Sequence, residues 1–409
     1  MLSALLIGTM IGTMGNSMVS IALPSLMEHF SVSLTTAVWA ITLYTLTFSV
    51  LIPVFGSLSA SIGYKRLFIS GMLVVTFSSI LCVVAPNFAV FMVARVLIGI
   101  GVATILPTIM GLVADRFPAE LQGQATGDWA LVNSLGHAIG PILVGGLVNF
   151  FNWQAIFGID MPLAVLSIIV ALIVFPRDSQ ARLIDFDWAG AAAMTVLVFS
   201  GMTGISLLSK YSLSAAPTTT SFLLAAAALV FIGWYERKRD NPFFDLKLFT
   251  KKDYISAIMP ISLQAFSQFG LLVSLPVFLI DIQRIDKQLA GLVIMSMTLM
   301  MAITSPIAGR LADRWGSRRV CFGGTLAIGL GAMLMYFIRI DALTALAWAV
   351  FIISLMVFGT GFGMIQSSST VAAIQASPKG KNGVATGFFH MIRFINASLG
   401  STIVGIMLE

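Results

Sequence analysis

Charge is what this sequence has least of. Of 409 residues only 10% are Asp, Glu, Lys or Arg, against 58% hydrophobic, and mean hydropathy is +0.98. A soluble domain carries about 25% charged residues, so the composition excludes a water-soluble fold, whose core could not hide this much apolar surface. Cysteine is nearly absent: Cys82 and Cys321 both lie in apolar runs, say nothing about redox compartment and read as small buried residues. Three histidines and two cysteines make no metal-spaced set. There is no phosphate-cradling loop ending in Lys-Ser/Thr and no nucleophile elbow, so neither ATP hydrolysis nor enzymatic catalysis finds support. Gly99-Ile-Gly101 and Gly359-Thr-Gly361-Phe-Gly363 look like fragments of a dinucleotide fingerprint, but they sit inside apolar runs with no preceding strand. No cofactor and no metal is expected. The net charge of +6 does not point to nucleic acid, because the basic residues follow the loops.

What is present is long hydrophobic runs. A bilayer needs roughly 20 apolar residues per spanning helix, and thirteen spans are expected: about 2–24, 36–58, 67–86, 88–113, 125–150, 153–176, 187–209, 220–236, 254–281, 288–309, 319–339, 343–374 and 383–408. The first begins near Leu2 without a basic leader, so it reads as a helix and not a cleaved signal. Of the 23 Lys and Arg residues, four (Lys210, Arg284, Lys287, Arg339) fall in the loops of one side and two (Arg95, Arg393) inside spans. All the others fall in loops of the opposite side, which by the positive-inside rule puts that side and the N-terminus in the cytoplasm.

The chain repeats itself. Gly309–Arg319, GRLADRWGSRR, has a worn copy at Gly56–Arg66, GSLSASIGYKR, and each joins the end of one apolar run to the start of the next. GDWALVNSLGHAIG (Gly127–Gly140) is likewise echoed by GFFHMIRFINASLG (Gly387–Gly400). The expected architecture is an all-α integral membrane protein of two pseudo-symmetric six-helix bundles with a two-helix insertion. The bundles are placed at 1–176 and 253–409, and the inserted helices and a charged cytoplasmic linker at 177–252. Equal halves leave the second bundle one helix short, so a last helix is expected to be missing. Duplicated bundles that move against each other are a common basis of alternating access.

These residues resemble the major facilitator superfamily, in particular its fourteen-helix drug:proton antiporter branch. Gly309-Arg-Leu-Ala-Asp313-Arg314-x-Gly316-x-Arg318-Arg319 is similar to its cytoplasmic loop motif, and Arg95-Val-Leu-Ile-Gly99-Ile-Gly101 to its fourth-helix motif. Gly136-His-Ala-Ile-Gly140-Pro141-Ile-Leu-Val-Gly145-Gly146 is similar to its fifth-helix antiporter motif. Trp39 to Tyr44, Ala22-Leu23-Pro24, Asp187-Trp188-Ala189-Gly190 and Asn241–Leu246 fit as well. The resemblance implies a transporter in the cell membrane, with a small-molecule substrate and protons as partners and a monomeric state. Departures are visible. Ala60 stands where the first loop copy should carry an acid, and Gly15 where the first helix of this branch often does. Ile98 replaces a glutamine, and Val144 a paired glycine.

Ionisable residues inside spans are functional candidates by default. Arg95, His137, Asp128 and Asp160 are the candidates for proton coupling, with Asp160 at the depth of Arg95 and able to pair with it if the two faces meet. His137 stands out because the first-helix carboxylate is missing and histidine titrates near neutrality. Asp128 could equally cap a helix start. His390 and Arg393 share a face of the last span, as Gln264 and Gln268 do in the ninth, with Phe266 and Phe269 beside them; these six are the substrate-binding candidates. Met295, Met297, Met300 and Met301 offer an adaptable apolar wall. Gly136, Gly140 and Gly145 should allow close helix approach and Pro141 a kink. Gly56, Gly63, Gly309 and Gly316, with Lys65 and Arg66, belong to the basic loops, whose glycines permit tight corners. Asp313 with Arg314, Arg318 and Arg319 is expected to latch the outward-open state through charge contacts. The leading reading is proton-coupled efflux of amphipathic or cationic small organic molecules. An uncoupled facilitator or lipid exporter remains the alternative, and a non-transporting membrane sensor a remote one.

Overall fold

The computed structural model describes residues 2–150, 152–175, 187–208, 211, 213–238, 243, 246–337, 345–377 and 382–408. Among them every regular element is helical: α1 Leu2–Phe30, α2 Leu34–Ile62, α3 Tyr64–Val83, α4 Phe88–Ala103, α5 Ile105–Arg116, α6 Ala119–Phe150, α7 Ala155–Val174, α8 Trp188–Leu207, α9 Ala216–Tyr235, α10 Lys252–Pro276, α11 Lys287–Trp315, α12 Ser317–Phe337, α13 Ala345–Ala376 and α14 Asn382–Leu408, with short 3₁₀ and π turns near α9 and α10. Each expected span is helical over most of its described residues, the fourth as two helices, and among the described residues ten stretches are long and apolar enough to cross a membrane. Several helices outrun their apolar cores, as α1, α6 and α11 do, because helical hydrogen bonds persist into the polar region where the side chains change character.

The fourth span is not continuous. It breaks at Thr104, whose amide turns back to the Gly101 carbonyl and whose hydroxyl bonds the same oxygen at 2.8 Å. Pro107 has no N–H to return to the Ala103 carbonyl, so the ladder is interrupted there. The corner glycines behave as expected at two places: Gly63 and Gly316, between α2 and α3 and between α11 and α12, have φ of 92° and 85°.

Helices α1, α3, α4, α6 and α7 pack together with α2, and α10 to α14 pack together around α13. Large apolar side chains such as Phe77, Ile173, Val230 and Tyr336 point outward and are exposed, as a lipid-facing surface requires. α6 meets α11 and α2 meets α14, and the two seams use the same parts. Gly123 faces Gly309 and Gly127 faces Pro306, while Gly383 faces Gly56 and Gly387 faces Pro53. A Cβ on any of these glycines would collide with opposing backbone. Gly309 and Gly56 therefore lie inside helices and serve close approach, not the corners their sequence context suggested. The inserted helix α8 packs Met194, Val198 and Met202 with Leu46 and Val50 of α2 and with Phe388 and Met391 of α14. It thus covers one of the two seams.

Candidate functional site

Between the two groups of helices lies a cavity of about 380 Å³, within the range of small-molecule sites. Trp129, Asn133 and His137 line it from one face of α6, four residues apart. Thr9 and Thr13 of α1, Thr42, Tyr44, Thr45 and Phe48 of α2, Phe269 of α10, and Arg393, Phe394, Ser398 and Ser401 of α14 complete most of the wall. Gly136 lets α6 close on α1, because a Cβ there would overlap the Thr13 hydroxyl. Gly140 is buried, while Pro141 and Gly145 lie outside the residues whose side chains the structure describes.

One edge of the cavity is a buried polar chain across three helices. Arg393 Nη2 donates to Gln366 Oε1 at 3.0 Å, and Gln366 Nε2 donates to Asn133 Oδ1 at 3.3 Å. The Nε and Nη1 of Arg393 have no partner, and neither does either nitrogen of the fully buried His390. His390 stands edge-on to Trp129, with ring centroids 5.4 Å apart. His137 meets Phe269 at 6.4 Å, also edge-on.

The second feature is two buried groups of opposite charge behind the wall, Arg95 and Asp160. Arg95 is fully buried between α4 and its neighbours; its Nε donates to the Ala40 carbonyl at 3.1 Å, and both Nη atoms lack partners. Asp160 of α7 is 2% exposed and its Oδ1 lacks a partner. The two interact electrostatically without a direct hydrogen bond. The guanidinium lies 4.5 Å from the Tyr44 ring, a cation–π contact. The Tyr44 hydroxyl donates to the Gly12 carbonyl at 2.7 Å, and the same ring lines the cavity. Tyr44 thus touches both the cavity and Arg95. A Cβ on Gly15 would come 3.6 Å from Asp160 Oδ2. The place where the antiporter branch carries a first-helix acid is therefore faced by an acid from α7.

The four coupling candidates do not form one cluster. Arg95 and Asp160 come together. His137 lines the cavity beside Arg393, and Asp128 is half-buried nearer the basic end, within electrostatic reach of Arg310. Of the six binding candidates, Phe269 and Arg393 line the cavity. Gln264 Nε2 bonds Gln268 Oε1 at 2.5 Å, and Gln268 Nε2 reaches Met301 Sδ at 3.4 Å, so this pair faces α11. Met297 and Met301 are buried with Leu275, Leu355 and Phe362 in a core of α10, α11 and α13, and Phe266 brings its backbone against Gly400. Trp129, Asn133, Tyr44 and Gln366 were missed as contact residues. The first two share the His137 stripe, and Gln366 opens a polar run, QSSST, inside an apolar span, so each left a signal.

The expected latch is built differently. Asp313 accepts from the backbone amides of Gly123 at 2.7 Å and Gln124 at 2.9 Å in α6, while Arg314, Arg318 and Arg319 are exposed. Two backbone N–H groups hold the carboxylate through charge-assisted hydrogen bonds, which the exposed arginines do not supply. At the other seam Asn382 donates to Asp115 at 3.2 Å, and the Tyr64 hydroxyl donates to the same carboxylate at 3.0 Å. Lys65 caps the end of α7 through the Leu172 and Phe175 carbonyls, at 2.8 and 3.1 Å. Arg66 is exposed.

Known proteins fit this picture. The family profile described as Major Facilitator Superfamily matches residues 5–401. An uncharacterized MFS-type transporter, YwoD of Bacillus subtilis (strain 168), is 31% identical over 99% of this chain and 89% of its own. The multidrug resistance protein Stp of Mycobacterium tuberculosis (strain CDC 1551 / Oshkosh) is 28% identical over 95% of this chain and 72% of its own. Among solved structures, the human organic anion transporter MFSD10 (TETRAN) superposes with a TM-score of 0.72 at 14% identity, covering 98% of this chain and 92% of that one.

Proposed function

The chain belongs to the major facilitator superfamily, a family of transporters and not of enzymes, and on that premise we propose that this multi-pass membrane protein is a proton-coupled exporter of amphipathic small organic molecules. The reading takes the cell membrane as its location, with the N-terminus and the basic loops in the cytoplasm, the charge bias being its support. It takes the chain as a monomer of two bundles, 1–176 and 253–409, with an insertion at 177–252. The resemblance to the antiporter branch and the multidrug relative support export.

The observation that carries the coupling is the buried Arg95–Asp160 pair joined to the cavity through Tyr44. A carboxyl buried beside an arginine exists in two states with different fields. Ionised, it draws the guanidinium toward α7; protonated, it leaves it to the Tyr44 ring that forms part of the cavity wall. A ligand that displaces Tyr44 and a proton on Asp160 then bias the same element, and each alters the affinity for the other. His137 modulates the wall, and Asp128 serves the basic end.

The test is efflux of a lipophilic dye from proteoliposomes under an imposed pH gradient. Wild type should follow the gradient, and Asp160→Asn and Arg95→Gln should lose that dependence, whereas His137→Ala should keep it in part. Wild-type flux that ignores the gradient would leave an uncoupled facilitator or lipid exporter as the reading.

A further inference from the structure

Resting on the reading of the central cavity as the substrate site, we infer that its ligand is an aromatic organic anion, held by the Arg393 guanidinium and stacked among Trp129, Phe269 and Phe394. Arg393 is 3% exposed and lines the cavity. One of its three nitrogens is bonded, to the neutral Gln366, and the other two have no partner. Among the described residues no carboxylate pairs with it and no Asp or Glu lines the cavity. A guanidinium buried in a membrane protein without a counter-charge is costly, and such charges are kept where they meet a substrate or an ion.

The neighbouring charges strengthen the argument. Asp160 stands behind Tyr44 and is already matched by Arg95, so the cavity keeps the uncompensated positive charge of Arg393. His137 adds nothing negative. The other polar groups of the wall, Thr13, Thr45, Asn133, Ser398 and Ser401 among them, are neutral donors and acceptors. An organic cation, which is half of the expectation from sequence, would meet a like charge and no acid. An aromatic carboxylate or sulfonate would supply the missing counter-charge, met by a rotation of the guanidinium that brings the buried, unpartnered Nε and Nη1 to the cavity surface. Its ring would lie against faces and edges already presented by Trp129, Phe269 and Phe394.

Two probes of equal bulk and opposite charge decide it: 2-naphthalenesulfonate and (2-naphthylmethyl)ammonium, titrated calorimetrically into the full chain in phosphatidylcholine nanodiscs, with empty nanodiscs subtracted. Wild type should bind the sulfonate at least about tenfold more tightly than the ammonium. Arg393→Gln should lose about tenfold of sulfonate affinity and with it the preference, and Arg393→Lys should keep part of it. Ala397→Asp, one helical turn along α14 and on the cavity wall, should cancel the preference, because the new carboxylate pairs with Arg393 at i,i+4. That variant decides the matter if Arg393→Gln shows no cooperative thermal transition. Equal or tighter ammonium binding to wild type, no binding of either probe, or an unchanged preference in Arg393→Gln or Ala397→Asp overturns the inference. None of these titrations uses a pH gradient. Gradient-independent flux therefore removes proton coupling and leaves the anion site standing, and an ammonium-preferring cavity does the reverse.

Discussion

At Gly15 one missing side chain is balanced by another that arrives from a different helix. The position lacks the carboxylate that the antiporter branch it resembles often carries, and Asp160 faces it from α7 with its Oδ2 at 3.6 Å from where a Cβ would stand. That separation is ordinary van der Waals contact, so a Cβ at Gly15 stands beside the Asp160 carboxyl without a clash. In Asp160→Asn, the addition of Gly15→Asp should restore gradient-dependent efflux to at least about a tenth of the wild-type rate. If the double variant stays as uncoupled as the single, the carboxyl acts only from α7. Tyr44→Phe removes the bond to the Gly12 carbonyl but keeps the ring over Arg95. A loss of about 1 kcal/mol is expected, read as a lower unfolding midpoint, with coupling weakened and not abolished.

Helix pairs explain why the glycines are where they are. In water apolar helices are driven together by the solvent, but between helices in lipid that drive is absent and close backbone approach takes its place. Gly309 and Gly123 bring α11 and α6 into backbone contact, and Gly56 and Gly383 do the same for α2 and α14. Gly309→Ala must push α11 off α6, at a cost of about 1–3 kcal/mol. It should lower the midpoint and abolish flux, while alanine at Gly233, with open space around it, should change neither. Asp313→Asn weakens the hold on the Gly123 and Gln124 amides at the same seam. About 1 kcal/mol is expected after screening by water, seen as faster labelling of a cysteine placed on the α6 side of the seam.

For the whole molecule, two closures between the two groups of helices lie at the end that carries the basic loops, Asp313 on α6 and Asn382 on Asp115, besides the Gln366–Asn133 contact at the cavity edge. Alternating access requires both to part. Asp115→Cys with Asn382→Cys should form a disulfide under mild oxidation that stops transport and is reversed by a reductant. The native Cys82 and Cys321 are buried and should not interfere. Transport that continues with the cross-link formed would mean that this seam does not open in the cycle.

Much of this was legible in the chain. Hydrophobic length alone located the helices, because the bilayer imposes its own thickness on every span. The duplicated loop announced matched halves, since glycine at a positive-φ corner and small residues at a backbone contact leave plain marks, as at Gly63 and Gly316. Arg95, Asp160 and Arg393 stood out because a charge in an apolar run is expensive. Which of these charges meet is a different matter. Asp160 faces Gly15, Tyr44 joins Arg95 to the cavity, Gln264 turns to Gln268 and away from the cavity, and Asp313 finds amides instead of arginines. These depend on how each helix is rotated about its axis and on distances of a few ångströms between helices far apart in sequence. The same apolar pattern satisfies lipid in many rotations, so the sequence determined the spans and their polar candidates, while packing in three dimensions decided the partners.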